Sequence, residues 1–157
     1  MQDLHGKANV YFQYSCILVD LVSHLRKLKL NMGDAAEIKK EATEKIRSHL
    51  VNGMRGNQQI CIYTGEEPCD LAWFADEKEL PLQMLLDYEW GHIHDNYVGI
   101  VHEDEKFDNI TREVDGHFFA GDKFSIAILT ELTNPDDIKT MLHNMPHDKL
   151  QKFVVEP

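Results

Sequence analysis

The segment that decides the fold class runs from residue 123 to residue 137 and reads KFSIAILTELTNPDD. Its first ten residues, 123–132, predict a strand whose two faces are both apolar or small. One face carries Phe124, Ile126 and Ile128, and the other carries Ser125, Ala127 and Leu129. Because a strand that is apolar on both faces must be covered from both sides, this pattern is typical of α/β sheets. The segment therefore predicts a sheet with helices on both faces.

The end of the same segment predicts the start of a helix. The side chain of Asn134 can cap the first turn, and Pro135 suits the first helical position because its missing N–H is not needed there. The two acidic residues that follow favour the positive end of the helix dipole. We expect this helix to reach about His143. Residues 152–156 predict a final strand, so that 123–156 forms a strand–helix–strand unit.

A second strand–helix–strand unit is predicted over residues 59–102. The run QICIYT at 59–64 is short, β-branched and apolar, as strands are. Residues 80–90 predict a helix with Pro81 in its first turn, and YVGIVH at 97–102 predicts the next strand. In both units the connection is long enough for the right-handed crossover that joins parallel strands.

Two helices are predicted before the first of these strands. In residues 10–30 the apolar side chains recur every three or four positions, which places them on one face of a helix. Asp34 and Glu37 resemble a capping box that begins a second helix, and Gly53 suits its end. The apolar face of the first helix consists of Ile17, Leu21, Leu25 and Leu28.

These elements predict one α/β domain over residues 10–157, after a frayed segment at 1–9. We expect a mixed or partly parallel sheet with helices on both faces and two N-terminal helices. An α+β arrangement is the alternative. A chain of 157 residues, 43% of them hydrophobic, fits one domain with its own core and leaves little room for a second.

The charge of the chain bounds its partners. There are 16 Lys and Arg residues against 27 Asp and Glu residues, which gives a formal net charge of −11. An acidic surface repels phosphate backbones, so a nucleic-acid partner is not expected. The same surface suits a partner protein whose own surface is basic. In residues 10–30, the charged side chains disfavour a membrane span, and the basic residues follow the apolar run, unlike those of a signal peptide.

The cysteines indicate a reducing compartment. Cys16, Cys61 and Cys69 are odd in number and include no close pair, so neither a disulfide framework nor a structural zinc site is predicted. We therefore expect a soluble cytoplasmic protein without a membrane partner or a cofactor.

The leading functional prediction is a non-catalytic protein–protein interaction domain: an adaptor, an inhibitor or a subunit of a larger assembly. Aromatic residues lie next to acidic ones in residues 70–90, and aromatic anchors within a polar rim are typical of interfaces. The alternative is that the rings belong to the core and the acids to the solvated face. The predicted partner-binding residues are Trp73, Phe74, Asp76, Glu77, Tyr88 and Trp90.

Two other functions stay open. His92 and His94 with Asp95 could hold a metal ion in a metal-dependent hydrolase, although no H-E-x-x-H pattern is present and surface and loop histidines are the simpler explanation of the cluster. A small molecule or nucleotide could bind at the carboxyl ends of the strands at 59–64 and 123–131, where open α/β sheets bind ligands. A phosphate loop is not expected there, because Asp122 separates Gly121 from the following lysine.

Overall fold

The computed structural model describes residues 2–3, 7–107, 113, 116–143, 145, 151 and 153–155. The strands are β1 (Gln2–Asp3), β2 (Ile17–Asp20), β3 (Gln59–Gly65), β4 (Ser125–Thr130) and β5 (Val154–Val155). The helices are α1 (Lys7–Ser15), α2 (Val22–Lys29), α3 (Ala35–Gly56), α4 (Leu71–Phe74), α5 (Leu82–Leu86), α6 (Tyr88–Gly91), α7 (His94–Val98) and α8 (Pro135–Leu142), with a 3₁₀ turn at Glu103–Glu105. Within these ranges, no helix has the length and apolar character that crossing a membrane requires.

The strands form one sheet in the order β2-β3-β4-β1-β5, and every pairing between them is parallel. Its centre is β3, which pairs with β2 on one side and with β4 on the other. Ile60 of β3 lies opposite Ile17 of β2 and opposite Ile126 of β4. The α/β class is confirmed, and the sheet that was expected to be mixed or partly parallel is parallel throughout the described strands.

Both faces of the sheet are covered by helices, as predicted. On one face Ile60 and Ile62 are buried in the larger core cluster, which includes the apolar side of α3. On the other face Cys61 is buried in a smaller cluster with Ala8 and Phe12 of α1. This alternation follows from the strand geometry, in which successive side chains point to opposite faces.

The long helix α3 covers the larger face because its apolar residues recur every four positions. Ile38, Ala42, Ile46 and Leu50 are all buried, and Asp34 caps the helix by accepting a hydrogen bond from the Ala36 N–H at 2.9 Å. The helix passes Gly53, its predicted end, and stops at Gly56. A Cβ atom on Gly53 would lie 2.5 Å from Cδ1 of Ile60, so the glycine permits a close approach to β3.

The prediction of one helix over residues 10–30 is wrong. The structure divides this segment into the end of α1, the strand β2 and the helix α2. Ile17–Asp20 is drawn into the sheet by pairing with β3, and Asp20 then starts α2 by accepting from the Val22 N–H at 2.8 Å. There are consequently three N-terminal helices instead of two. Within the segment predicted to be frayed, residues 2–3 form β1 and α1 begins at Lys7, whereas residues 1 and 4–6 lie outside the described residues.

The prediction of a strand at 97–102 is also wrong. The neighbours of β3 in the sheet are β2 and β4 instead of this segment. The chain turns here, with the Val101 N–H donating to the Val98 carbonyl at 3.1 Å. Ile100 and Val101 are apolar because they are buried against the core, and not because they extend. The helix predicted at 80–90 divides into α5 and α6 at Asp87, whose carboxylate caps α6 through the Trp90 N–H.

The C-terminal unit follows its prediction more closely. β4 forms within 123–132, and the side chain of Asn134 accepts from the Asp136 N–H at 3.0 Å to cap α8. The final strand is shorter than predicted, at Val154–Val155, and residues 152 and 156 of the predicted strand lie outside the described residues.

A buried arginine fixes the turn at residues 100–105 onto α3. Arg47 is 1% exposed and pairs with Glu44 and Glu105, at 2.6 Å in each case. It also donates to the Ile100 carbonyl at 2.9 Å. Burial lowers the pKa of Arg47, but the two carboxylates outweigh burial and raise it. The hydrogen bond from Arg47 holds the pKa of Glu44 below its usual value; for Glu105, burial raises the pKa but Arg47 lowers it further.

We expect Arg47→Met to lower the free energy of unfolding by about 3 kcal/mol, because it leaves Glu105 partly buried without its cation. Urea denaturation at neutral pH measures this loss. The control is Lys139→Met, which removes an exposed lysine 3.6 Å from Asp136 and should leave the unfolding midpoint unchanged. An equal loss of unfolding free energy in the two variants would show that burial of Arg47 does not contribute to stability.

The same cluster predicts an acid-sensitive component of stability. Because the folded pKa values of Glu44 and Glu105 are lowered, their contribution is present above the ordinary glutamate value of 4.5. It is lost as the pH falls below 4.5 and through the folded values. Urea denaturation at a series of acidic pH values should therefore show a steeper loss of stability for the native chain than for Arg47→Met. Parallel curves would contradict this assignment.

Candidate functional site

A groove of about 640 Å³ runs along the outer side of β4. The strand itself forms the floor, since residues 124–128 and Thr130 line the groove. Phe12 of α1 borders it on the smaller face of the sheet. The helices α5 and α8 border it on the larger face, through Met84, Leu85, Leu86, Ile138, Met141 and Leu142.

The groove exists because β4 is paired unequally on its two sides. β3 pairs with β4 along its whole length, from Ser125 to Thr130. On the other side β1 reaches β4 at Thr130 through Gln2. Among the described strands, none pairs with residues 125–127 on that side, so the edge of the sheet opens into the groove.

One end of the groove carries a stack of three rings. His92 lies between Tyr88 and Phe124, with ring centroids 3.9 Å and 4.1 Å away. The Nδ1 atom of His92 is 2.7 Å from the Tyr88 carbonyl oxygen, which can only accept, so Nδ1 donates. The ring is held in place by this bond, and its buried Nε2 has no hydrogen-bond partner in the described part of the chain. Tyr88 is 59% exposed and forms the rim.

The elements that border the groove carry more acidic than basic side chains. Asp87 lines the groove, Glu89 follows in α6, and the Tyr88 hydroxyl donates to the Asp122 carbonyl at 3.5 Å. Asp136 and Asp137 lie in the first turn of α8. The basic side chains in or next to these elements are Lys7 of α1, Lys123 and Lys139, and the last lies 3.6 Å from Asp136. A positively charged group would therefore be attracted to this edge.

The structure divides the six predicted partner-binding residues between two places. Tyr88 lies at the rim of the groove, and Trp90 is half-buried nearby in α6, where its carbonyl accepts from the Asn96 side chain. Trp73 is half-buried beside α3, with the Lys39 ammonium 6.0 Å from its ring. Asp76 and Glu77 are exposed in the turn that follows α4.

Two of these residues have structural roles, and the role of Phe74 matches the alternative in which the rings belong to the core. Phe74 is 1% exposed and packs in the larger core cluster, which does not favour its predicted contact with a partner. Its carbonyl also accepts from the buried Thr43 hydroxyl at 2.7 Å. Asp76 accepts hydrogen bonds from the Lys78 and Glu79 N–H groups, which lower the pKa of its carboxyl and stabilise the turn.

The predicted metal ligands are not brought together. His92 is held in the ring stack, whereas His94 packs against Tyr97, 5.2 Å between centroids. Asp95 is exposed and 3.4 Å from Nδ1 of His94. Among the described residues, which include all three, no group of three potential ligands is placed to hold a metal ion.

At the carboxyl ends of the strands, the polar groups bind one another. The Tyr63 hydroxyl donates to Glu131 at 2.7 Å, and Lys29 pairs with Glu67 at 2.7 Å. The Thr130 hydroxyl donates to the carbonyl of Gly65, whose φ of +64° turns the chain here. A ligand at this edge would have to displace these bonds, whereas the groove lies beside β4.

Sequence reasoning identified Tyr88 but missed the rest of the groove. Its walls come from residues as far apart as Phe12 and Val154, which share no local pattern. The only available signal was β4, whose two apolar faces require cover from both sides. Comparison with known proteins adds no further guidance, because no family model, curated protein or solved structure matches this chain.

The cysteines also fail to provide a nucleophile. Burial is the main cause that raises the pKa of both Cys61 and Cys69 to about 12, and it also raises the pKa of the half-buried Cys16. Thiols react as thiolates, and thiols with a raised pKa form few thiolates near neutral pH.

We therefore expect the thiols of Cys61 and Cys69 to resist Ellman's reagent in the native protein at pH 8 and to react only after denaturation. Peptide mapping of the labelled protein identifies which cysteine has reacted. Rapid labelling of Cys69 in the folded chain would contradict this prediction and would make Cys69 a candidate nucleophile.

Proposed function

We propose that this chain is a non-catalytic protein-interaction domain that receives an apolar segment of a partner protein in the groove along β4. The proposal depends on one observation: a groove of about 640 Å³ whose floor is the open edge of a strand. An open strand edge offers backbone N–H and C=O groups, which peptide segments use in recognition.

The rim of the groove supports a protein partner. Tyr88 is exposed although its ring stacks on His92, so it offers a fixed aromatic surface at low cost in entropy. The acidic side chains around Asp87 and Asp122 favour a segment that carries positive charge. This agrees with the net charge of −11 and with an adaptor, inhibitor or subunit whose partner has a basic surface.

A small apolar molecule is the second candidate for the same groove. Its volume of about 640 Å³ is typical of small-molecule sites, and its lining is mainly apolar, with polar groups that include Gln59, Asp87, His92, Ser125 and Thr130. This candidate shares the binding role but replaces the partner segment with a free ligand.

Photo-crosslinking from the groove tests the proposal. We would place p-benzoylphenylalanine at Tyr88 and, separately, at Phe153, which lines the groove and is 56% exposed. Both positions should crosslink to one segment of the same protein in native cells, as identified by mass spectrometry. The matched control is Tyr14, an 85% exposed tyrosine of α1 that does not line the groove, and its crosslinks should lack that segment.

A charge introduced into the groove then measures the contribution of the site. Phe153→Glu should weaken capture of the crosslinked partner at least tenfold, because it places a carboxylate in an apolar site. Phe119→Glu, at a 71% exposed phenylalanine that does not line the groove, should leave capture unchanged. Equal capture by both variants would overturn the proposal, and a small-molecule adduct at Tyr88 and Phe153 would favour the second candidate.

A further inference from the structure

The register of the sheet defines a strand position that the described residues fill only in part. Gln2 of β1 lies opposite both Thr130 of β4 and Val154 of β5, so β1 separates these two strands at that level. Toward the amino end, β4 continues back to Ser125. On the far side of the groove the chain continues back from Val154 through Phe153, which also lines it. The groove therefore lies where a longer β1 would continue between its two neighbours.

The dimensions of this position suit one extended chain. A strand added to β4 would lie about 4.8 Å from it, the spacing of neighbouring strands in a sheet. Residues 124–128 line the groove and, at roughly 3.3 Å per residue, span about 16 Å. A helix would leave the N–H and C=O groups of the edge at 125–127 unpaired, because its own backbone groups bond within the helix. A segment of about five residues in extended conformation would match the length of the groove.

The two walls determine which side chains such a segment can carry. A strand in this position directs alternate side chains to opposite faces of the sheet. On the larger face they would meet Met141 and Leu85, and on the smaller face they would meet Phe12. Because both faces are apolar, the segment must be apolar at consecutive positions, unlike a surface strand that alternates between apolar and polar residues.

The ends of the groove favour a basic residue beside this apolar run. Asp122 precedes β4 and is exposed, and Asp87 lies at the same end of the groove as the ring stack. A lysine or arginine at the adjoining end of the segment would lie near these carboxylates. The apolar run supplies the buried area, and the basic residue sets the placement of the segment along the strand.

We infer that the partner segment binds as an added strand of the sheet: an extended run of about five apolar residues, flanked by a basic residue and hydrogen-bonded through its backbone to the edge of β4 at 125–127. This inference rests on the proposed function, because it specifies how the partner segment occupies the groove.

The test uses peptides selected against the whole chain from a displayed library of random eight-residue sequences. Selected peptides should contain consecutive apolar residues next to Lys or Arg. Each is then synthesised with N-methyl groups on alternate amides, in the two possible sets. N-methylation removes an N–H donor and leaves the side chains unchanged. One set should weaken binding at least tenfold, because its amides face β4, and the other set should weaken it less.

The controls separate this inference from the proposed function. Binding should be lost in Phe153→Glu and retained in Phe119→Glu, with the same melting temperature in both variants. If selected peptides require Phe153 but tolerate both N-methylated sets equally, the groove binds a segment that is not an added strand, and the inference is overturned while the proposed function stands. If no peptide is selected, or if binding ignores Phe153→Glu, the proposed function is overturned as well.

Discussion

The structure depends on the burial of β3, which is covered along both edges and on both faces. Its edges are paired to β2 and β4, and its side chains are packed on both faces, with Ile60 and Ile62 toward α3 and Cys61 toward α1. A strand in this position can expose no polar side chain without cost, and its parallel neighbours must be joined by helical crossovers. The layers of the domain follow from this one requirement.

The same requirement produces the groove. β2 and β4 each pair with β3 along one edge, but the other edge of β4 needs a pairing partner of its own. β1 supplies that neighbour at Thr130, and residues 125–127 of β4 face the groove between α5, α8 and Phe12. The candidate site is therefore a consequence of how the sheet is completed, and its apolar lining continues the core that covers both faces.

The parts of the fold that could be predicted are those with local signals. β3 and β4 were evident from short apolar runs, and α8 from the cap formed by Asn134. β2 was missed because ILVD at 17–20 also fits a helical apolar face, and only its pairing with β3 decides the outcome. Residues 97–102 were mistaken for a strand because buried turns and strands share apolar runs. The groove could not be predicted, because tertiary contacts alone bring Phe12, Met141 and Phe153 to one place.

The central claim is that β4 accepts an added strand, and a crystal structure of the chain with one selected peptide tests it most directly. The account predicts an extended peptide between β4 and the residues Phe153 and Val154, with main-chain hydrogen bonds to β4 at 125–127 and side chains toward both Phe12 and Met141. A peptide bound as a helix, or bound elsewhere while the edge of β4 stays open, would contradict it.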